Sequence, residues 1–444
     1  MAKWQATRIG KFLKEQEGRY EPTDSALQSL KRLNKIDFSG EIHLSDKGSK
    51  TDMIIVEPGD LVISGINVSK GALAVYHGVE PITATIHYSS YSFDETEIDI
   101  EYFKRFLKSQ AFVRTLKEQV KGGIKTEIKS KLFLPLEINL PDIEEQRTIV
   151  SFFNRVENEM KELSDEITHQ QTYLKKLRLQ ILQEAIEGKL TADWRKTHPE
   201  LISGKNHASK LLDKIKTEKE LLINKGKIKK DKQLSSITVQ EKTFDLPEGW
   251  VWCRLGEVAF GFEYGSSAKS KKDGKVPVLR MGNLQNNHID WEDLVYTSND
   301  TEIEKHLLKY NDLLFNRTNS RELVGKTALY EKDGKTIYAG YIVRFHMCGN
   351  INPKYTNFIM NSSFHRCWCN EVKVDALGQS NINATKLRDY RYPLAPIAEQ
   401  QAIVERVDKL MTMIDKLDKQ ITERKDKSER LMQSVLREAF ESKA

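Results

Sequence analysis

The sequence predicts an α+β protein in which two tandem α/β domains are separated by two long helices. These helices are expected to form an antiparallel intramolecular coiled coil with pseudo-two-fold symmetry. Two observations lead to this prediction: the 444-residue chain repeats itself at an interval of about 250 residues, and each repeat closes with a long stretch of coiled-coil spacing. A chain of this length can also bury two separate cores.

The internal repeat keeps its order along the chain. Its strongest match is between Ile143–Val150 (IEEQRTIV) and Ile397–Val404 (IAEQQAIV). Weaker matches precede it in the same order: Arg8–Gly10 with Arg254–Gly256, Pro58–Ser64 with Tyr310–Asn316, Gly71–Tyr76 with Gly325–Tyr330, and Tyr102–Leu107 with Tyr355–Met360. Each repeat is therefore predicted to be a globular domain of about 140 residues that leads into one helix.

The globular parts have the pattern of mixed α/β structure. Short apolar runs are separated by glycine, asparagine, aspartate and proline, which is typical of strands joined by turns. Examples of such runs are Met53–Val56, Leu61–Ser64, Leu313–Phe315 and Tyr338–Arg344.

The long helices are predicted to begin just after Pro141 and Pro396, with acidic residues in the first turn, where the helix dipole favours them. Apolar side chains then recur at steps of four and three. The predicted seam comprises Ile149, Phe153, Val156, Met160, Leu163, Ile167, Leu177, Ile181 and Ala185, then Ile403, Val407, Leu410, Ile414, Leu417, Ile421, Leu431, Val435 and Ala439. A homodimerising coil or a core-facing helix would show the same spacing. Neither helix can leave its apolar stripe exposed to water. Because the domain and its helix occur twice in the chain, the second helix is the expected partner of the first.

Five segments follow from these patterns. They are a first globular domain at 1–140, a first helix at 141–190, a basic and partly helical linker at 191–245, a second globular domain at 246–394 and a second helix at 395–444.

Composition sets limits on the class of protein. Lysine and arginine number 70 against 64 aspartate and glutamate, which permits an anionic partner without requiring one. No apolar run approaches the roughly 20 residues of a membrane span, and the start of the chain lacks the apolar segment of a signal peptide, so a cytoplasmic protein is expected. The four cysteines, Cys253, Cys348, Cys367 and Cys369, lack paired spacing and are expected to be reduced thiols without a metal.

Three short motifs superficially suggest an enzyme. Gly325-Lys326-Thr327 has Ser320 where a phosphate-binding loop needs its first glycine, so a strand-loop-strand is expected. The segment 352–355 lacks the second proline of an amino-methyltransferase loop and fits a turn that opens a helix. The acids at 142–145 fit a helical first turn. The chain is therefore predicted to be non-catalytic and to bind no cofactor.

With these patterns in place, the chain resembles the specificity (S) subunit of type I restriction–modification enzymes. The resemblance covers nearly the whole chain. It rests on the duplicated plan and on four segments: Pro141–Gln146, Pro393–Gln400, Gly188–Arg195 and Leu246–Trp250. One departure is that the first domain starts almost at Met1, without a counterpart of Leu246–Trp250.

The resemblance implies a sequence-specific DNA-recognition subunit. Each of its two target-recognition domains would read one half of a bipartite DNA site, with the helices acting as a ruler between them. It also implies two modification subunits docked on the helices and two restriction subunits. The complex would methylate adenine at N6 with S-adenosylmethionine, or translocate and cleave DNA with ATP and Mg²⁺. Those cofactors would be bound by the partner subunits.

Candidate DNA contacts are polar and basic residues on predicted loops, because such side chains reach bases and phosphates. In the first domain they are Ser64, Asn67, Ser69, Lys70, Lys121, Lys125 and Lys129. In the second domain they are Lys269, Lys271, Lys272, Arg280, Asn283, Asn316, Arg317, Asn319, Ser320, Arg321, Gln379, Asn381 and Asn383. The first domain has no close equivalent of the segment 316–321, which predicts two different half-sites rather than a palindrome.

The alternative function is a coiled-coil scaffold that bridges proteins without DNA sequence specificity. Without the repeated globular domain, the heptad spacing alone would favour an ordinary homodimerising coil or a core-facing helix. Gel-shift competition between specific and random duplexes would separate the two functions.

Overall fold

The computed structural model describes residues 4–120, 127–228, 232–376 and 378–441. The chain divides into two compact units, residues 4–168 with 421–441 (unit 1) and residues 169–420 (unit 2). The division runs through the two long helices, so it does not bear on the predicted domain borders.

Unit 1 contains a strand pair and two four-stranded sheets. Its strands are Gln5–Arg8 (β1), Leu13–Glu15 (β2), Arg32–Ile36 (β3), Ile42–Ser45 (β4), Met53–Val56 (β5), Leu61–Ser64 (β6), Leu73–Val75 (β7), Ile82–Thr85 (β8), Tyr88–Phe93 (β9) and Glu137–Leu140 (β10). Its helices are Ile100–Leu107 (α1), Gln110–Gln119 (α2), Ser130–Phe133 (α3) and the first part of Ile143–Ile186 (α4). The strands pair as β1-β10, β2-β9-β6-β7 and β4-β3-β8-β5.

Unit 2 begins within α4 and continues with the short helices Ala192–Thr197 (α5) and Ala208–Asn224 (α6). Its strands are Val251–Arg254 (β11), Ala259–Tyr264 (β12), Val276–Leu279 (β13), Leu284–Gln285 (β14), His288–Ile289 (β15), Val295–Thr297 (β16), Leu313–Asn316 (β17), Thr318–Asn319 (β18), Thr327–Leu329 (β19), Ile337–Tyr338 (β20), Ile342–Met347 (β21), Val374–Ala376 (β22), Gln379–Asn381 (β23) and Arg391–Leu394 (β24). Its other helices are Leu255–Val258 (α7), Asp300–His306 (α8), Pro353–Ile359 (α9), Ser363–Val372 (α10), Ala384–Arg388 (α11) and the first part of Ile397–Glu441 (α12).

The two units share one topology, which confirms the predicted α+β fold with a duplicated domain. Sheet β2-β9-β6-β7 has the same strand order as β12-β21-β17-β19, and the pair β1-β10 corresponds to β11-β24. Each unit also contains one parallel strand pair, β3 with β8 and β13 with β20, beside an antiparallel neighbour. Because a parallel pair needs a crossover connection, its recurrence at the same place indicates duplication rather than coincidence.

A buried glutamine at the start of each long helix performs the same task in both units. Gln146 accepts a hydrogen bond from the backbone N–H of Asp99 at 2.8 Å, and Gln400 accepts one from the backbone N–H of Asn352 at 2.9 Å. Asp99 and Asn352 are the N-caps of α1 and α9. The glutamine of the repeated motif therefore ties the long helix to the matching helix of its domain.

Two of the residues that superficially suggested enzymes, Asp142 and Asn352, are helix caps. Asp142 accepts a hydrogen bond from the backbone N–H of Glu145 at 2.8 Å, and Asn352 caps a helix whose first residue is Pro353. The segment around Gly325 leads into β19, as the strand-loop-strand interpretation predicts.

The strand register adds to one expectation, since the last residue of Leu246–Trp250 has a counterpart in the first domain. Gln5 pairs with Leu140 in β1-β10, as Val251 pairs with Leu394 in β11-β24. The residue before each first strand is a tryptophan, Trp4 or Trp250. Trp4 could not be matched with Trp250 from the sequence alone, because only the strand pairing fixes its position relative to β1.

The long helices pair antiparallel within each unit, as predicted. In unit 1, Phe440 of α12 stacks on Phe153 of α4 at 5.7 Å, and the Ser428 hydroxyl lies 3.6 Å from the Met160 sulfur. In unit 2, Arg178 of α4 forms an ion pair with Asp415 of α12 at 2.8 Å.

Most of the predicted seam is buried or half-buried, but three of its leucines are not. The buried or half-buried positions are Ile149, Phe153, Val156, Met160, Leu163, Ile167, Ile181, Ala185, Ile403, Val407, Leu410, Ile414, Ile421 and Val435. Leu177, Leu417 and Leu431 are exposed, and the side chain of Ala439 lies outside the described residues.

Placing Leu177 and Leu417 in the seam was wrong because a charged layer replaces them. The half-buried positions at this level are Leu174, Arg178 and Asp418, and Arg178 contacts Asp418 at 3.5 Å. A straight helix has 3.6 residues per turn, so a strict 3.5-residue pattern drifts off the contact face.

No helix among the residues described here is long and apolar enough to cross a membrane.

Candidate nucleic-acid interface

Two of the predicted loops of unit 2 meet in one small sheet. Strand β18, which follows β17 after Arg317, pairs with β23, and β23 pairs with β22. Asn319 therefore lies opposite Ser380, and Thr318 opposite Asn381. We call this three-stranded sheet with Arg317 the polar ribbon (residues 317–319, 374–376 and 379–381). The sheet pairing brings together candidates that the sequence placed on separate loops.

Side chains of the polar ribbon are linked by hydrogen bonds. The Asn381 amide donates to the Thr318 hydroxyl at 2.7 Å, and the Ser380 hydroxyl donates to the Asp375 carboxylate at 2.5 Å. Asn319 accepts from the backbone N–H of Ser320 at 2.8 Å. A cavity of about 400 Å³ lies beside the ribbon and is lined by Arg321, Asp375 and Gln379 among others. The exposed Arg321 lies 3.6 Å from Asp375.

Asn383 lies just after the polar ribbon and is exposed, but its side chain caps α11 by accepting a hydrogen bond from the backbone N–H of Lys386 at 2.9 Å. Gln379 is exposed on β23. Both stay candidates for a contact with DNA.

Three predicted contact residues are buried, which contradicts their assignment to DNA. Asn316 and Ser64 end the matched strands β17 and β6 inside their domains, and Asn283 supports a turn. The Asn283 side chain accepts from the backbone N–H of Arg280 at 2.9 Å and donates to two backbone carbonyls at 3.1 Å. The polarity of Asn283 serves the fold, because its buried polar groups find their partners inside the protein.

The remaining candidates of unit 2 lie at the surface. Lys269, Lys271 and Lys272 are exposed on the segment between β12 and β13. Arg280 is half-buried and donates to the carboxylate of Asp293 at 2.9 Å. The three lysines fit a contact with phosphates, since exposed ammonium groups on flexible stems bind anions without directional demands.

In unit 1 the candidates are fewer and more scattered. Lys70 is exposed, with its ammonium 6.0 Å from the exposed ring of Phe38, and Asn67 precedes the same turn. Lys129 is exposed near Glu127 at 3.8 Å. Lys121, Lys125 and the side chain of Ser69 lie outside the described residues.

Sequence reasoning missed an exposed aromatic pair beside the polar ribbon. Tyr264 ends β12 and Tyr341 immediately precedes β21, and both are exposed. The backbone carbonyl of Tyr341 accepts from the backbone N–H of Arg317 at 2.9 Å. An aromatic residue followed by glycine at the end of a strand (Tyr264-Gly265) was the available signal, since exposed aromatics are common in nucleic-acid interfaces.

Three of the four segments that carry the family resemblance converge on one buried carboxylate, that of Glu399. Its two oxygens accept hydrogen bonds from the Thr191 hydroxyl at 2.7 Å, from the Arg195 guanidinium and from the Trp250 indole N–H at 2.7 Å. The side chain of Glu399 is fully buried. Gly188, with φ +69°, passes so close to Pro247 that an added Cβ would lie 2.6 Å from it. Segments 188–195, 246–250 and 393–400 thus build one junction at the root of α12.

The cysteines are separate thiols. Cys253, Cys348 and Cys369 are buried and Cys367 is exposed. Burial raises the pKa of the Cys348 thiol to about 11 and that of the Cys369 thiol to about 12. Among the described residues, three ligand atoms close enough for one metal ion occur at Asp37, Glu41 and His43. The Asp37 carboxylate there is occupied by the backbone N–H groups of Ser39, Gly40 and Glu41.

Comparison with known proteins finds similarity to type I restriction enzyme specificity subunits. Residues 247–424 match the family model described as type I restriction modification DNA specificity domain. The type I restriction enzyme EcoAI specificity subunit of Escherichia coli is 32% identical over 255 residues, which cover 54% of this chain and 40% of that protein. The EcoKI specificity subunit of E. coli strain K12 is 24% identical over 345 residues, covering 76% and 64%. The aligned region thus spans less than two thirds of either relative.

A solved structure shares the fold along nearly the whole chain. The HsdS subunit from Thermoanaerobacter tengcongensis matches 99% of this chain and 97% of its own, with a TM-score of 0.55 at 16% identity. The resemblance found from the repeat and its motifs is confirmed: the chain is similar to specificity subunits of type I restriction enzymes, and residues 247–424 match the DNA specificity domain of such enzymes.

Proposed function

We propose that this chain is the sequence-specific DNA-recognition subunit of a type I restriction–modification complex and reads a bipartite, asymmetric site. The observation that carries the proposal is one fold presented twice with different side chains at matched positions. After β17 the chain continues with Arg317 and the polar ribbon, whereas after β6 it continues with Gly65 and Ile66. Two such surfaces can bind two half-sites of different sequence.

The chain itself is proposed to be non-catalytic and to act in the cytoplasm. Modification subunits would supply adenine-N6 methylation with S-adenosylmethionine, and restriction subunits would supply ATP- and Mg²⁺-dependent cleavage, with two copies of each in the complex. The exposed lysines and arginines of unit 2 would hold phosphates, and the polar ribbon would read bases.

Sequencing the methylome of cells with and without this gene tests the proposal. With the gene, we expect one bipartite motif with modified adenines in two unlike half-sites; without it, we expect the motif to disappear. The purified chain alone, given DNA, S-adenosylmethionine, ATP and Mg²⁺, should leave the DNA unchanged. A methylome that does not depend on the gene would instead favour the scaffold interpretation.

The coiled coil of unit 2 offers a docking surface for a modification subunit. Tyr173 and Leu177 on α4, and Met413 and Leu417 on α12, are large apolar side chains exposed to water. The ion pair of Arg178 with Asp415 brings these turns of the two helices together. Exposed apolar patches on a folded protein are typical of interaction sites.

Replacing both Leu177 and Leu417 by glutamate should weaken copurification of the modification subunit. Losing two apolar contacts and burying two charges in the interface should lower the affinity roughly tenfold or more. The matched control is the double change Leu221→Glu and Val239→Glu, since both residues are exposed apolar side chains off the coil. An equal loss in the control would show that added charge, rather than this surface, matters.

A further inference from the structure

Beside the polar ribbon, an arginine lies against an exposed tyrosine. The guanidinium carbon of Arg317 lies 4.7 Å from the centroid of the Tyr264 ring. The Tyr264 hydroxyl accepts a hydrogen bond from the backbone N–H of Ala384 at 3.1 Å. The ring is therefore anchored at its strand and at its hydroxyl, and it forms a fixed platform for the guanidinium.

The remaining contacts of Arg317 use only part of its hydrogen-bonding capacity. Nη1 donates to the Gly340 carbonyl at 3.5 Å, and Nη2 donates to the Asn381 side-chain oxygen at 3.4 Å. Both distances are at the long limit of a hydrogen bond. A guanidinium carries five N–H donors, and the buried Nε has no hydrogen-bond partner in the part of the chain that the structure describes. One hydrogen on each Nη is thus left for an acceptor outside the chain.

Building on the proposed function, we propose that Arg317 reads a guanine in the half-site bound by unit 2, with Tyr264 and Asn381 as positioning residues. In the major groove, guanine presents two adjacent acceptors, O6 and N7, which match the paired donors of a guanidinium. A half-buried arginine fixed on a ring suits such a directional contact. A phosphate contact needs no fixed orientation and is served by the exposed lysines.

The same position in unit 1 cannot take a side chain, so the guanine contact belongs to one half-site only. Gly65 follows β6 as Arg317 follows β17. A Cβ at Gly65 would lie 2.9 Å from the backbone carbonyl oxygen of Ile128. The duplicated fold thus contains its own comparison between a domain with this arginine and a domain without it.

The test reads the methylated motif in cells that carry variants of the full-length gene. Arg317→Lys keeps the charge but removes the paired donors, so discrimination for guanine at one position should fall roughly 5- to 150-fold, with the other half-site unchanged. Tyr264→Ala removes the platform and should lower the same discrimination roughly 2- to 5-fold. Tyr264→Phe keeps the ring and should lie closer to wild type. Tyr310→Ala, at another exposed tyrosine of unit 2, should leave the motif unchanged.

Each outcome bears on the inference. The inference is contradicted if Arg317→Lys keeps the wild-type motif, or if methylation declines equally at both half-sites. Arg317 would then contact a phosphate or only support the fold. If Arg317→Lys abolishes methylation altogether, the Tyr264→Ala variant tests the inference, because it keeps the arginine. This variant must then show reduced discrimination for guanine at one position of the motif, and an unchanged motif would contradict the inference. A methylome that is the same with and without the gene contradicts the proposed function itself, which the wild-type motif reveals in the same experiment.

Discussion

Replacing Glu399 by alanine is expected to destabilise unit 2 by about 3–5 kcal/mol, the range for removing one partner of a buried ion pair. For a unit of this size, that change lowers its melting temperature by roughly 6–20 °C. The reason is that Arg195, whose side chain is mostly buried, would keep its charge without the carboxylate that faces it. The Trp250 indole N–H and the Thr191 hydroxyl would lose their acceptor as well.

The measurement is thermal unfolding of the full-length chain, with hydrogen exchange of peptides covering 188–195 and 247–250 to locate the loss. Glu405→Ala serves as the matched control, since Glu405 is an exposed acid on the same helix and should change stability by less than about 0.5 kcal/mol. Arg195→Ala and the double variant complete a mutant cycle, in which the double variant should be less destabilised than the sum of the two single changes. Strict additivity would show that the pair is not coupled.

The elements that depend on local spacing could be predicted from the sequence. The repeat and its helix entries are visible as residue patterns, and α4 begins at Ile143, two residues after Pro141. Which residues of the two helices lie opposite each other could not be predicted in the same way. Whether Leu417 or Asp418 faces the partner helix depends on the position of Arg178 in that helix. Such a contact is formed by residues far apart in the chain.

The recognition surface could be predicted only in part. Arg317, Gln379 and Asn381 lie at the polar ribbon, but Asn316 and Asn283 are buried, since polarity alone does not distinguish a DNA contact from an internal hydrogen bond. Tyr264 was missed because its place under Arg317 depends on the pairing of β12 and β17 with β21. Long-range pairing, rather than any local motif, builds this part of the site.

Acidification from pH 7.5 to pH 5 is expected to destabilise unit 2 through His365, a buried histidine of α10. Burial lowers the pKa of His365 to about 3, and the nearby charge of Arg366 acts in the same direction. The hydrogen bond to the Gly325 carbonyl at 2.9 Å raises the pKa and offsets only part of this effect. Its other ring nitrogen, Nδ1, is buried and has no hydrogen-bond partner within the described ranges. A proton there would be a buried charge without an acceptor.

The imidazole of His365 is closely packed on several sides, so it has little room to move toward water or a new hydrogen-bond partner. Gly325 has φ +90°, and an added Cβ would lie 2.3 Å from the Cys369 sulfur and 3.3 Å from the imidazole. The rings of Trp368 and Tyr390 lie 5.6 and 5.3 Å from the imidazole. The histidine therefore stays neutral in the folded protein at pH values where an unfolded histidine becomes charged.

The sign of the effect follows from proton binding. Below the ordinary histidine pKa of about 6.5, the unfolded chain binds a proton that the folded unit does not, so stability falls with decreasing pH at up to about 1.4 kcal/mol per pH unit. At pH 5 the loss from this group should be about 2 kcal/mol. Denaturant unfolding of wild type and His365→Gln at pH 5, 6 and 7.5 measures it, with His288→Gln as the exposed-histidine control. The His365→Gln chain should be less stable than wild type at pH 7.5 but lose less on acidification. Parallel declines in both would show that His365 does not titrate as a buried group.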